Sequence, residues 1–328
     1  MERTSLTRDQ VAQLLRETDH FLMVPHVAPD PDTLGAAVGL AILLGRLGKT
    51  AWVYAPEDLP FDSHFLSELA PILRSPPPGN HWHPVVLDCG DPRRLPPQAE
   101  LSGIWLNIDH HLGNHYFATH TWVDMRAAAT TELVASLAAP LGLAFDPASA
   151  TALYAGMLYD TRGFVSDQTR PETHALAAQL VAAGADPRRI NFELNERLST
   201  EALRVMGLAL ASLRSECGGS LVWTAITREM MAETGALESE TDLILSQLPK
   251  ISRAEVMLLF KELSDGSIKV SLRSRGQVDI HAIAQSFGGG GHQLASGIRL
   301  EASLSEAMHQ VLNVTRAALP ACRPVRAG

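Results

Sequence analysis

Cysteine is scarce in this 328-residue chain: Cys89, Cys217 and Cys322 stand far apart, with no C-x-x-C pair. An odd count at such spacing argues against a disulfide framework and against a cysteine zinc site, and it suits a reducing compartment. Long apolar runs are missing too. The longest, Ala36 to Leu44, is about half of what a bilayer requires and contains Gly39. The opening MERTSLTRDQVAQ is polar and lacks the apolar core of a signal peptide. A soluble, cytoplasmic protein with no membrane association is expected. Basic runs are also absent, and the formal charge is −9. Proteins that track a long nucleic-acid backbone carry a basic stripe, because displacing counterions from phosphates supplies most of their affinity. That excludes a long nucleic-acid backbone and favours a short phosphorylated ligand, with some of the acid serving as cation ligands.

What is present divides into two patterns. The hydrophobic share is 46% and the charged share 19%, a globular profile, and the length suits two domains. From residue 20 to about 185, the apolar runs Phe21–Pro25, Thr50–Tyr54, Val85–Leu87 and Ile104–Ile108 alternate with Ala/Leu-rich helical stretches. This alternation predicts an α/β domain, a parallel sheet with helices on both faces. Helices are expected from Thr33, capped by Asp32 or Thr33, and over about 130–141, 148–159 and 172–184. The stretch Ser75–Asn80, with three consecutive prolines, reads as a loop within this half. Domain boundaries are placed at 1–186 for this half, 187–214 for a helical connector and 215–328 for a smaller α+β domain. In the last, strands are expected at 220–227, 254–262, 268–274 and near 296–300, with a hairpin through Ser264-Asp265-Gly266-Ser267 and a helix over 303–319.

In a parallel sheet, ligands bind beyond the carboxyl ends of the strands. Here those ends are ionisable. His26-Val27-Ala28-Pro29-Asp30-Pro31-Asp32 follows the first run, Asp88 ends the third, and Asp109-His110-His111 ends the fourth. Taken alone, the first segment is explained by an Asp-rich turn with a helix cap, and a strand-terminal Asp is common. Two adjacent imidazoles beside an acid make a ligand cluster the better explanation. Leu158-Tyr159-Asp160-Thr161-Arg162-Gly163-Phe164 adds an acid at a helix end, where the helix dipole opposes it unless a cation compensates. Together, His26, Asp30, Asp32, Asp88, His110 and Asp160 form a carboxylate–imidazole set suited to Mn²⁺ and similar ions, with enough ligands for two.

The second half carries Phe287-Gly288-Gly289-Gly290-Gly291-His292, preceded by Ser271-Leu272-Arg273-Ser274-Arg275. A glycine run is more often a flexible loop. Flanked by His, Arg and Ser, it reads as a phosphate grip, its N–H groups turned toward an anion.

These motifs resemble, in order and over nearly the whole chain, those of the DHH-family phosphoesterases: H-x-x-P-D-x-D, a strand-terminal D, D-H-H, D-T-x-x-F and G-G-G-G-H. Each motif is weak alone, but the combination is specific. The subgroup with a glycine-rich C-terminal domain includes RecJ exonucleases, cyclic-dinucleotide phosphodiesterases and NrnA-type oligoribonucleases, and the compact layout is most similar to the last. The resemblance implies one Mn²⁺ on His26, Asp30 and Asp88 and a second on Asp32, Asp88, His110 and Asp160, with Mg²⁺ or Co²⁺ as substitutes. It implies that Asp109 orients His110, that His111 faces the substrate phosphate, and that Arg273, Ser274, Gly289, Gly290, Gly291 and His292 hold the substrate's far end. Pro31 stands where many relatives have Gly, which stiffens the loop and leaves the ligands intact.

The implied activity is hydrolysis of short oligonucleotides to nucleoside monophosphates, and of 3′-phosphoadenosine 5′-phosphate to AMP. Rival expectations are a cyclic di-AMP or linear dinucleotide phosphodiesterase, an inorganic pyrophosphatase, against which GGGGH speaks, and a silent nucleotide-binding regulator. Oligomeric state stays open, a homodimer included.

Overall fold

In the computed structural model, which describes residues 5–96 and 103–322, the chain forms two compact units, Met1–Arg197 and Leu198–Gly328. The first unit holds α1 (Arg8–Glu17), β1 (His20–Val24), α2 (Pro31–Arg46), β2 (Thr50–Tyr54), β3 (Ile72–Leu73), β4 (His83–Leu87), β5 (Leu106–Asp109) and β6 (His120–Val123). It continues with α3 (Thr130–Ser136), α4 (Ala138–Leu141), α5 (Pro147–Asp160), α6 (Pro171–Ala182) and α7 (Pro187–Asn191). Its six strands run parallel in the order β3-β2-β1-β4-β5-β6. The order reverses between β1 and β4, and at such a switch point the loops leaving adjacent strands diverge and open a crevice. His26 follows β1 and Asp88 follows β4, so the topology alone brings them to that crevice.

The strands have the two-faced pattern of a buried sheet. Phe21, Met23, Val85 and Leu87 face a core shared with the helices, whereas Leu22, Val24, Tyr54 and Val86 face a smaller cluster with Trp52, Trp82 and Phe117. No described helix contributes to that smaller cluster. The expectation of helices on both faces is therefore corrected: the helices gather on one face, and non-helical segments roof the other. β3 and β6 went unpredicted, being only two and four residues long. The second helix also starts earlier than expected. Asp30 caps it by accepting the N–H groups of Asp32 and Thr33, both at 3.0 Å, and Pro31 occupies the first helical position, where its missing donor costs nothing.

The second unit holds α8 (Thr200–Ala211), β7 (Arg214–Glu216), β8 (Leu221–Ile226), α9 (Arg228–Thr234), β9 (Val256–Glu262), β10 (Ile268–Ser274), α10 (Ile280–Gln285), β11 (Gly290–His292), β12 (Ala295–Leu300) and α11 (Leu304–Ala318). Its sheet has the order β11-β12-β10-β9-β8-β7, antiparallel except for the β8–β9 pair. The expected hairpin joins β9 to β10, with Gly266 at φ 88°. Cys217 and Cys322 are disulfide-bonded, their Cα atoms 4.8 Å apart, which corrects the expectation of no disulfide. Partners 105 residues apart leave no spacing signal; folding β7 and the end of α11 together brings them within reach.

Helix α2 packs tightly on α5 because it presents glycine to it. A Cβ on Gly35 would lie 2.5 Å from the carbonyl oxygen of Ala152, and one on Gly39 would lie 2.6 Å from Leu153 Cδ2. On α5, a Cβ on Gly156 would lie 2.5 Å from Thr131 Cγ2 and 2.8 Å from Asp32 Cα. Gly156 thus lets the starts of α2 and α3 converge on the last turn of α5, which ends at Asp160. Gly156→Ala should lower the unfolding free energy by about 1–3 kcal/mol through overpacking. Gly45→Ala, with nothing within 4 Å of its Cβ, should be neutral or stabilising by up to about 1 kcal/mol. Denaturant titration of both variants checks the contrast.

Candidate metal centre

Strand ends, helix starts and one helix end deliver every predicted ligand of the first unit to one place. His26 Nε2 lies 3.8 Å from Asp30 Oδ2 and 3.7 Å from Asp88 Oδ2. His110 Nε2 lies 3.5 Å from Asp88 Oδ1 and 3.4 Å from Asp160 Oδ2. Three overlapping triplets offer ligand atoms within 4.8 Å of one another: His26-Asp30-Asp88, Asp32-His110-Asp160 and Asp88-His110-His111. Asp88 belongs to two of them. His26, Asp32, Asp88 and His110 are buried.

The hydrogen bonds around these groups leave the right atoms for a cation. His26 Nδ1 is 2.8 Å from the Val27 carbonyl and His110 Nδ1 is 3.1 Å from the Ala127 carbonyl. A carbonyl only accepts, so each Nδ1 carries a proton and each Nε2 is the nitrogen turned to the carboxylates, the one a cation would take once it is unprotonated. Asp32 is held by N–H groups of Thr130 and Thr131, at 2.7 and 3.0 Å, and by the Thr131 hydroxyl at 2.6 Å. The Thr130 hydroxyl donates to Asp88 at 2.9 Å. Asp88 itself adopts φ 57°, and Ala28, Arg162 and Phe164 on the flanking motif loops also have positive φ. Such backbone costs free energy and persists where surrounding contacts impose it, most often at functional sites.

Charge is what the arrangement stores. Burial, then the neighbouring Asp88, Asp160 and Asp30, push the Asp32 carboxyl well above the usual carboxylate range. Burial raises Asp160 to about 6; the His110 charge opposes the rise and Asp88 and Asp30 add to it. Burial works against protonated His26, but Asp30 and Asp88 outweigh it and hold the imidazole up at about 9. A divalent cation among these groups would favour the ionised carboxylates and the neutral imidazole, which couples its binding to proton release. The donor set of carboxylate oxygens and imidazole nitrogens, with no thiolate, fits a hard or borderline divalent ion.

Comparison with known proteins agrees with this geometry. The model of the DHH family, N-terminal domain, matches residues 20–157, and that of the DHHA1 domain matches residues 224–319. The bifunctional oligoribonuclease and PAP phosphatase NrnA of Thermus thermophilus is 33% identical over 312 residues, covering 93% of this chain and 92% of that protein. The chain belongs to the DHH family of phosphoesterases.

Solved structures share the fold of this DHH phosphoesterase. An exopolyphosphatase-related protein from Bacteroides fragilis matches with TM-score 0.81 at 23% identity, covering 94% of this chain and 95% of that one. Exonuclease RecJ bound to manganese matches with TM-score 0.60 at 14% identity, covering 98% and 97%. The protein is thus a hydrolase of phosphoester bonds with a cluster of candidate metal-binding residues.

Asp109 sits beside the triplets, one of which includes His111. His111 Nδ1 is 2.7 Å from Asp109 Oδ1, and that carboxylate also accepts the backbone N–H groups of His110 and His111. Asp109 therefore orders the turn that carries His110, whose ring is held by the Ala127 carbonyl. In the DHHA1 unit, Arg273 is half-buried on β10 and donates to the Leu272 carbonyl at 3.0 Å. Ser274 is turned inward, with its hydroxyl 3.0 Å from Glu255 and 2.7 Å from the Val278 carbonyl. Arg275 is tied to the carbonyls of Pro249, Ile251 and Ser252. The glycine run is not a free loop: Gly290–His292 pairs with β12, and a Cβ on Gly289 would lie 2.2 Å from the Gly297 carbonyl. Gly288 to Gly290 border a cavity of about 980 Å³ that Lys261, Lys269 and Arg299 also line. The His292 side chain lies outside what the structure describes.

Thr130, Thr131 and Ala127 were missed from the sequence. A Thr-Thr-Glu stretch reads as an ordinary helix start, and nothing in it announces that its N–H and hydroxyl groups serve carboxylates from other segments.

In the cation-free protein, the raised His26 contributes stability that is complete below 6.5 and is lost as pH rises through about 9. A cation needs Nε2 unprotonated, so its affinity should run the other way, climbing with pH toward about 9 and releasing protons on binding near neutral pH. Titration calorimetry in buffers of different ionisation enthalpy measures the protons released. An affinity independent of pH would remove His26 from the ligand set.

Proposed function

We propose that this protein hydrolyses short oligonucleotides to nucleoside monophosphates, and 3′-phosphoadenosine 5′-phosphate to AMP, with two Mn²⁺ ions. The observation that carries the reading is the set of three overlapping ligand triplets, two of which share Asp88, together with 33% identity to a relative named for both activities. Mg²⁺ or Co²⁺ would substitute. His26, Asp30 and Asp88 would hold one ion, and Asp32, Asp88, His110 and Asp160 the other. Such ions, when bound, activate water and neutralise charge on phosphate oxygens.

The protein's own residues supply the rest. His111, fixed through Nδ1 by Asp109, directs Nε2 to a non-bridging phosphate oxygen and stabilises charge that grows there. Arg273, Gly289, Gly290, Gly291 and His292 hold the far end of the substrate, while Ser274 supports their strand through Glu255. The absence of a basic stripe favours a substrate of few phosphates. The names of the relatives weigh against the cyclic-dinucleotide, pyrophosphatase and regulator alternatives.

Activity should vanish on exhaustive chelation and return best with Mn²⁺. Asp88→Ala should be the most damaging single ligand loss, because both ions lean on it. Near-normal turnover by Asp88→Ala while Asp160→Ala is dead would overturn the bridging role. Arg273→Ala should weaken action on a dinucleotide about ten- to a hundredfold, the loss of one charge-assisted contact. Its hydrolysis of a nitrophenyl phosphate diester should be nearly unchanged. Parallel assays on the two substrates, after checking metal content, test this; equal losses would overturn the substrate contact of Arg273.

A further inference from the structure

The turn between β6 and α3 carries a disproportionate share of the metal centre. Its Ala127 carbonyl fixes the His110 ring, its Thr130 and Thr131 groups hold Asp32, and the Thr130 hydroxyl reaches Asp88. Among the described residues, its link to the His26-Asp30-Asp88 site is that one bond to Asp88. The turn in turn rests on one buried acid. Glu132 Oε2 accepts the N–H of Ala128 at 2.9 Å and the hydroxyl of Thr173 at 3.0 Å, and its Oε1 accepts Arg170 Nη2 at 2.6 Å. Arg170 caps α6 and Thr173 lies in its first turn.

We propose that Glu132, clamped by Arg170 and Thr173, is a positioning residue that sets the turn 127–131 and thereby mainly the cation site built from Asp32, His110 and Asp160, touching the His26-Asp30-Asp88 site through the shared Asp88 alone. A carboxylate at 7% exposure is costly to bury unless paired, and here each oxygen is engaged. Its three bonds run to the turn's backbone and to α6, so it acts as a brace between α6 and the turn. Outer groups that orient ligands commonly change metal affinity by about ten- to a hundredfold. The inference rests on the two-cation reading.

The test is Mn²⁺ binding to the full chain, by calorimetry with electron paramagnetic resonance of free Mn²⁺, for wild type, Glu132→Ala and Glu132→Gln. The expected result is two cations on wild type, with one class weakened about ten- to a hundredfold in Glu132→Ala and the other clearly less. Glu132→Gln keeps an acceptor for the Ala128 N–H and should recover part of the loss. If Glu132→Ala does not fold, Arg170→Met, which leaves the carboxylate and its Ala128 and Thr173 bonds, carries the same comparison. Two cations on wild type with both classes weakened equally, or neither weakened, would overturn the inference alone. A single cation on wild type would overturn the two-cation reading and this inference with it.

Discussion

Mutual repulsion among Asp30, Asp32, Asp88 and Asp160 is the constraint around which the first unit is arranged. Four carboxylates converge in a largely buried crevice, and two of them are driven upward in pKa by that burial and by each other. Without positive charge the cluster opposes folding. The protein relieves it in part with backbone N–H donors from α3, with threonine hydroxyls, and with imidazoles that hold protons. What remains unbalanced favours cation binding.

Bringing the acids together needs close approach as well as chemistry. Glycine at 35, 39 and 156 removes the side chains that would hold α2, α3 and α5 apart. The same packing delivers Asp32 and Asp160, from two helices, to the imidazole of a strand end. The left-handed backbone at Ala28, Asp88, Arg162 and Phe164 is the local cost of aiming motif loops inward, and it is sustained because neighbouring strands and helix starts leave those loops little choice.

The second unit follows a different economy. Most of its conspicuous motif is structural: Gly289 is required by the Gly297 carbonyl, Gly290–His292 forms an edge strand, Ser274 faces inward and Arg275 braces a loop. The substrate contacts proposed for Arg273, the glycine backbone and His292 come on top of these structural roles. The general lesson is that a glycine run has two physical uses, close packing and ligand approach, and composition does not distinguish them.

The sequence by itself determined the α/β class of the first half, most strand positions and the six metal-ligand candidates, because apolar runs ending in ionisable residues are a local signal. Thr50–Tyr54 and Ile268–Ser274 were legible residue for residue. Only the tertiary structure decided that the helices crowd one face, that Cys217 meets Cys322, and that Thr130, Thr131 and Glu132 organise the centre. Those outcomes depend on pairings between segments far apart in the chain, 105 residues for the disulfide. Periodicity records which face of an element is apolar; it does not record which other element that face will meet.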